Sequence, residues 1–128
     1  MSRKLSLDHV SLPVRSLEAS AKFYSEVLGL EPIANGSGKT NIRWFGIGGE
    51  DALHLIEAPS GDWRPDKACH FAMRIADFDG FVAELEGREI PFHDWAGTAN
   101  NVTARADGFR QIFIEDPDGN WVEVNDHA

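Results

Sequence analysis

The sequence predicts an α+β fold built from two copies of a β-α-β-β-β module, with the helices on one face of the sheet. Three observations carry that prediction. A strand-then-helix grammar near the N-terminus returns 61 residues later. Within each copy the hydrophobic period changes from two, as in a strand, to about 3.6, as in a helix. Each helical pattern is then followed by short β-rich runs separated by turn residues.

The first strand is Leu7 to Val14, with Val10, Leu12 and Val14 on one face and Leu7, His9, Ser11 and Pro13 on the other. Ser16 suits a helix N-cap, with Glu18 in the first turn. Leu17, Ala21, Tyr24 and Leu28 form an apolar helical stripe, and Gly29 stands where a left-handed stop is expected. Strands are expected at Glu31 to Ala34, Asn41 to Gly46 and Leu53 to Glu57, joined through Asn35-Gly36-Ser37-Gly38 and the turn-rich residues 46–51. Residues 58–67 (APSGDWRPDK) have the composition of a linker.

In the second copy, His70 to Ile75 places Phe71, Met73 and Ile75 opposite His70, Ala72 and Arg74. Asp77 caps a helix with the stripe Phe78, Val82 and Leu85, and Gly87 lies near its end. Subtracting 61 carries His70 onto His9, Asp77 onto Ser16, Phe78 onto Leu17, Val82 onto Ala21 and Leu85 onto Tyr24. Strands at Pro91 to Trp95, Asn101 to Ala106, Gln111 to Glu115 and Trp121 to Asn125 complete the module. Asp116-Pro117-Asp118-Gly119 fits a tight turn between the last two.

A length of 128 residues fits one domain, with module one at about 5–58 and module two at about 68–126. Twelve basic against 21 acidic side chains give 12 − 21 = −9, which disfavours nucleic acid and anionic membrane as partners. Cys69 is the only cysteine, so an internal disulfide and a cysteine-cluster zinc site are excluded. No apolar run approaches the ~20 residues of a membrane span. Met1-Ser2-Arg3-Lys4-Leu5 does not open a secretory signal, so the expectation is a soluble cytoplasmic protein. Gly36-Ser37-Gly38-Lys39-Thr40 lacks the first glycine of a P-loop, because Ile33 occupies that position. No G-x-S-x-G elbow is present for a serine hydrolase.

Strand parity locates the chemistry. The helix-packed face takes Val10, Leu12, Leu53, Leu55, Phe71, Met73, Val122 and Val124, and the opposite face receives His9, His54, His70 and Glu123. Any one of these alone is an ordinary strand residue. Together they are module-equivalent pairs, and three imidazoles with one carboxylate suit a single divalent ion such as Zn²⁺, Ni²⁺, Mn²⁺ or Fe²⁺. Arg74 shares the His70 face and is the foremost basic candidate for a substrate contact, followed by Arg43, Arg105 and Arg110. Gln111 and Phe113 are expected to line the same hollow, and Trp121 belongs to a set of four tryptophans that suits an aromatic pocket. His93 and His127 lack module symmetry and are assigned to a loop and the tail.

Leu7-Asp8-His9-Val10-Ser11-Leu12, the helix end Phe23-Tyr24-Ser25-Glu26-Val27-Leu28-Gly29-Leu30, and Asp116-Pro117-Asp118-Gly119-Asn120-Trp121-Val122-Glu123 resemble the glyoxalase/bleomycin-resistance/dioxygenase superfamily. The resemblance to this family, also called the vicinal oxygen chelate superfamily, runs from about Leu5 to Asn125. It implies a curved mixed-sheet cup with helices outside, holding one divalent metal and often completed in a homodimer. It also implies ligands from the first and last strands of each module. The implied chemistry is that of a lyase or isomerase acting on a small substrate with vicinal oxygens, through a metal-stabilised enolate or oxyanion, with Glu123 as general base.

Departures narrow the subfamily. Glutathione-using glyoxalases carry Glu where this chain has His54 and Arg where it has Pro13. His54 is therefore either a ligand or a substrate contact. Fosfomycin-resistance thiol transferases are similar in placing a hydroxyl residue two positions after the first histidine, as Ser11 is here, which makes Ser11 a substrate-contact candidate. Their clamp uses a basic residue well beyond the ligand Glu, and none occurs in the five residues after Glu123. Extradiol dioxygenases share a two-histidine, one-glutamate Fe²⁺ set but add a tyrosine, and the single tyrosine, Tyr24, lies on the helix stripe. A metal-free drug binder of the bleomycin-resistance type, built on aromatic surfaces, is the alternative from a different functional class.

Overall fold

The computed structural model describes residues 3–127; Met1 and Ser2, where the N-terminal reading begins, and Ala128 lie outside the described residues. The first module runs β1 (His9–Val14), α1 (Leu17–Glu26), β2 (Glu31–Ile33), β3 (Ile42–Ile47) and β4 (Asp51–Glu57). The second runs β5 (His70–Arg74), α2 (Phe78–Gly87), β6 (Thr103–Ala104), β7 (Arg110–Glu115) and β8 (Trp121–Asn125). Each module forms a four-stranded sheet, ordered β1-β4-β3-β2 and β5-β8-β7-β6. In both sheets the first strand lies parallel to the fourth, and the remaining pairs are antiparallel. This is the predicted α+β class, mixed sheets included. The chain divides into two compact units, Met1–Trp63 and Arg64–Ala128, and the division falls inside the linker 58–67.

In the first unit, Ser16 Oγ accepts from the Ala19 N–H at 3.2 Å, and Glu57 Oε2 accepts from the Leu17 N–H at 2.8 Å. A strand carboxylate thus sits at the positive end of α1 and ties β4 to the helix. Leu17, Ser20, Ala21 and Tyr24 are buried against the sheet, together with Phe45, Leu53 and Leu55. Leu28, expected to extend the stripe, lies beyond the helix and is half-buried. Gly29 takes φ 68°, and the Leu30 N–H donates to the Tyr24 carbonyl at 2.9 Å, which closes the helix as predicted.

The second unit repeats this with one difference. Asp77 Oδ1 accepts from the Gly80 N–H at 3.0 Å, and Phe78 and Leu85 are buried. Gly87, however, is still helical, and the left-handed turn falls on Glu89 at φ 54°. Side chains such as Leu85, Phe92, Ile112, Ile114 and Val122 are fully enclosed, and each stabilises the unit by about 1.5–3 kcal/mol.

Two expected strands are corrected. Residues 91–95 contribute only isolated bridges from His93 to Ala99 and Phe113, and the run expected over 101–106 shrinks to β6. Pro91 cannot donate to a ladder, and Gly97 and Asn100 both take positive φ, so pairing is interrupted there. His93 is consequently more than a loop residue, since its backbone exchanges both hydrogen bonds with Phe113 at 2.9 Å. The β7–β8 turn is held by Asp116, whose Oδ1 accepts from the N–H groups of Asp118 and Asn120 at 2.9 and 2.8 Å. That turn sets the register of β8 and hence the position of Glu123.

Candidate functional site

Register makes the two units comparable position by position. His54 on β4 lies opposite Ser11 of β1 and Trp44 of β3. Glu123 on β8 lies opposite Ala72 of β5 and Phe113 of β7. Because Ala72 is Ser11 plus 61, the fourth strands align His54 with Glu123 and the third strands align Trp44 with Phe113. Each unit therefore carries a histidine on its first strand, a polar side chain on its fourth and an aromatic ring on its third, all on one face.

In the first unit these three rings stack. Trp44 and His54 are parallel within 4° at 4.0 Å, and His54 and His9 within 15° at 4.0 Å. Burial between the rings lowers the His54 pKa below the usual imidazole value; His9 acts in the same direction, and the Asp8 carboxylate opposes them. His9 Nδ1 lies 2.6 Å from Asp8 Oδ2. An ionised carboxylate only accepts, so Nδ1 carries the hydrogen and the lone pair of neutral His9 is left at Nε2.

The second unit reaches the same tautomer by another route. His70 Nδ1 donates to the Lys67 carbonyl at 2.8 Å, which again leaves the lone pair at Nε2. That nitrogen faces Glu123 Oε1 at 3.2 Å. Glu123 is buried, at 6% exposure, and its other oxygen accepts from Asn125 Nδ2 at 2.7 Å. The amide orientation is fixed as well, because Asn125 Oδ1 accepts from the His127 N–H at 3.1 Å. A lone pair on Nε2 and a carboxylate oxygen facing each other at this distance repel, unless a proton or a cation joins them. This pair, with its outer partners on Nδ1 and Oε2, supplies two donors of the kinds a divalent ion takes.

Aromatic rings border the pair. Phe113 meets the His70 ring edge-on at 5.3 Å, and Trp95, half exposed, lies 5.3 Å from Phe113 and 6.1 Å from His70. The Lys67 ammonium donates to the carbonyls of Asp94 and Trp95 at 2.6 and 2.8 Å. It also lies 5.0–5.5 Å from the rings of Trp121, Phe113 and Trp95. His93 packs edge-on against Trp121 at 5.9 Å, while His127 meets Phe109 at 4.4 Å.

The sequence-derived residues come together as two pairs, His9 with His54 and His70 with Glu123. Among the described residues, no three His, Cys, Asp or Glu side chains form a group that could hold a metal ion. Ser11 is exposed beside His54. Gln111, Phe113 and Trp121 share the Glu123 face, and Arg74 is exposed on that face opposite Asn125. Arg43 requires correction as a substrate contact. It pairs with Leu55 and shares the parity of buried Phe45, so it lies on the helix-packed face, beside Glu18 and Lys22 of α1, and not with His54.

Two supporting residues escaped sequence reasoning. Asn125 had a usable signal, since period two places it on the Glu123 face. Lys67 had none, because it stands in a linker without periodicity.

The profile of the Glyoxalase/Bleomycin resistance protein/Dioxygenase superfamily matches residues 6–124. The chain is 30% identical over 123 residues to the uncharacterized protein YwbC of Bacillus subtilis (strain 168), covering 91% of this chain and 94% of YwbC. It is 26% identical over 125 residues to Glyoxylase I 4 of Arabidopsis thaliana, covering 93% of this chain and 69% of that protein. A crystal structure of a glyoxalase family protein from Bacillus anthracis superposes with a TM-score of 0.80 at 25% identity, covering 100% of this chain and 99% of the other. No helix among the described residues is long and apolar enough to cross a membrane.

Proposed function

The chain belongs to the glyoxalase/bleomycin resistance protein/dioxygenase superfamily, and from that premise we propose that it is a divalent-metal lyase or isomerase for a small substrate with two neighbouring oxygens. The observation supporting this most directly is the His70–Glu123 pair, a lone-pair nitrogen against a buried carboxylate oxygen at 3.2 Å. His9, His70 and Glu123 would hold the ion. A divalent cation bound there supplies Lewis acidity, worth several kcal/mol when negative charge develops on substrate oxygen.

The chain's own residues do the rest. Glu123 takes a proton from the carbon next to an oxygen and returns it to the neighbouring carbon. Asn125 donates to Oε2 at 2.7 Å and so orients the carboxylate. Phe113 and Trp95 provide an apolar wall beside His70, which keeps water from the exchanged proton. Arg74 and Ser11 are the side chains available to substrate oxygens. The half-exposed Trp95 ring also favours a second reading, a metal-free binder of a planar small molecule.

Elemental analysis and reconstitution with Zn²⁺, Ni²⁺, Mn²⁺ and Fe²⁺ separate the two. The metal reading expects tight uptake by the wild type, lost in His9→Ala, His70→Ala and Glu123→Ala with the fold retained. Glu123→Gln should retain the ion yet slow proton transfer by about 10²–10⁴-fold. A protein that takes up none of these ions, or keeps its ion in all three alanine variants, defeats the reading.

A further inference from the structure

We propose that His54 is a positioning residue and not a ligand: it is the middle plate of a Trp44–His54–His9 ring stack that fixes the plane of the His9 imidazole. The inference rests on the metal reading above, and it assigns the role of one residue in that site. A histidine holds its ion in the plane of its ring, ~2.1 Å from the donor nitrogen. The His54 and His9 rings are parallel within 15°, with centroids 4.0 Å apart. Two such planes share no point within bonding reach of a nitrogen in each, so an ion held by His9 is out of reach of His54.

The stack has its own support. Trp44 lies flat on the far side of His54, and Trp44 is backed by Gly36, where an added Cβ would come within 3.0 Å of the indole. Gly36 therefore leaves the space that lets the indole press on His54. On the near side, His9 is fixed twice: its face lies on His54, and its Nδ1 edge is held by Asp8 at 2.6 Å. Those two constraints leave one ring atom, Nε2, free to act as a donor. With His54 as a plate, the chain offers three donors instead of four, and one more position is open to a substrate oxygen.

Nitrogen-15 NMR of the histidine rings during Zn²⁺ addition tests this in the wild-type protein. The His9 and His70 ring nitrogens should move, while those of His54 stay in place. His54→Phe, which keeps a flat ring but has no donor atom, should bind Zn²⁺ within about threefold of wild type. His54→Ala, which removes the plate, should weaken binding by about 10–100-fold, as loss of an outer partner commonly does. A metal-induced shift on His54, or a His54→Phe variant as metal-deficient as His9→Ala, overturns the assignment. If no histidine responds to Zn²⁺ or to the other ions, it is the metal reading that fails. The stack is then judged without metal: Trp44→Leu should remove the indole's share of the ring-current shifts of the His54 protons, leaving only that of His9, and unchanged shifts overturn it.

Discussion

Replacing Asn125 tests whether Glu123 is held by a donor or simply packed by a neighbour. Asn125 Nδ2 donates to a carboxylate oxygen that is buried, at 2.7 Å, and a hydrogen bond to a charged group of this kind contributes about 1.5–3 kcal/mol. Asn125→Leu removes the donor and leaves Oε2 without its partner, so the metal-free protein should lose about 2 kcal/mol. With an m-value of ~1–3 kcal/mol/M, that is a fall of roughly 1 M in the urea midpoint. Metal affinity, read by competition with a chromophoric chelator, should drop about 10–100-fold. Asn125→Asp gives the sharper contrast. Aspartate has nearly the shape of asparagine but sets an oxygen against Glu123 Oε2, so at neutral pH it should be worse than leucine on both measurements. If shape alone mattered, Asp would be the harmless substitution and Leu the damaging one. An Asp variant with wild-type stability and affinity would refute the donor role.

Lys67→Met keeps the aliphatic stem but removes two charge-assisted hydrogen bonds and the contacts with three rings, so denaturant unfolding should show a loss of about 2–3 kcal/mol; a loss under ~0.5 kcal/mol would mean that the cage is ornamental. Asp94 should make the protein acid-sensitive. Its carboxyl is held below the usual range, first by the Thr98 N–H, then by the Asn101 side chain, and also by the Gly97 N–H and Lys67, while burial opposes them. A depressed folded pKa contributes stability above the unfolded value of ~3.9, and that contribution is lost as pH falls through the folded value. Asp94→Asn should therefore be less stable than wild type near neutrality, with the gap narrowing below about pH 4; a gap independent of pH between 6 and 3 would contradict this.

What the sequence made legible follows from which constraints are periodic. Period two is strict in a strand, so His54 and Glu123 could be assigned to the face opposite Leu55 and Val124 before any coordinates. The 61-residue offset was equally secure because α1 and α2 begin and end in register with it. Arg43 was misjudged although parity was available: Phe45, two residues on, is buried against α1, and Arg43 must share its side. Gly87, expected near the end of α2, is its last helical residue, and the left-handed turn falls two residues later on Glu89. Lys67 lies in a segment of irregular backbone, where neither period nor propensity constrains direction, and its cage is a product of tertiary packing. The ring stack was invisible for a related reason. Parity gives the face of His9, His54 and Trp44, but the angles between their rings depend on side-chain torsions that no spacing encodes.

The divergence between the two fourth strands has a local cause. His54 and Glu123 occupy the same backbone position, yet their neighbours two residues on differ: Ile56 in one module, Asn125 in the other. A buried carboxylate is tolerable only with donors around it, and Asn125 supplies one to Glu123 at 2.7 Å. Ile56, itself exposed, offers no donor to position 54, which is half-buried and lies against the flat face of Trp44. An imidazole suits that place better, because its faces are satisfied by stacking while its edges remain available. The third-strand residues follow the same division. Trp44 lies flat and presents area to a ring, whereas Phe113 stands edge-on to His70 at 88°. The first module thus stacks its fourth-strand ring between two others, and the second holds its fourth-strand carboxylate between an imidazole and an amide.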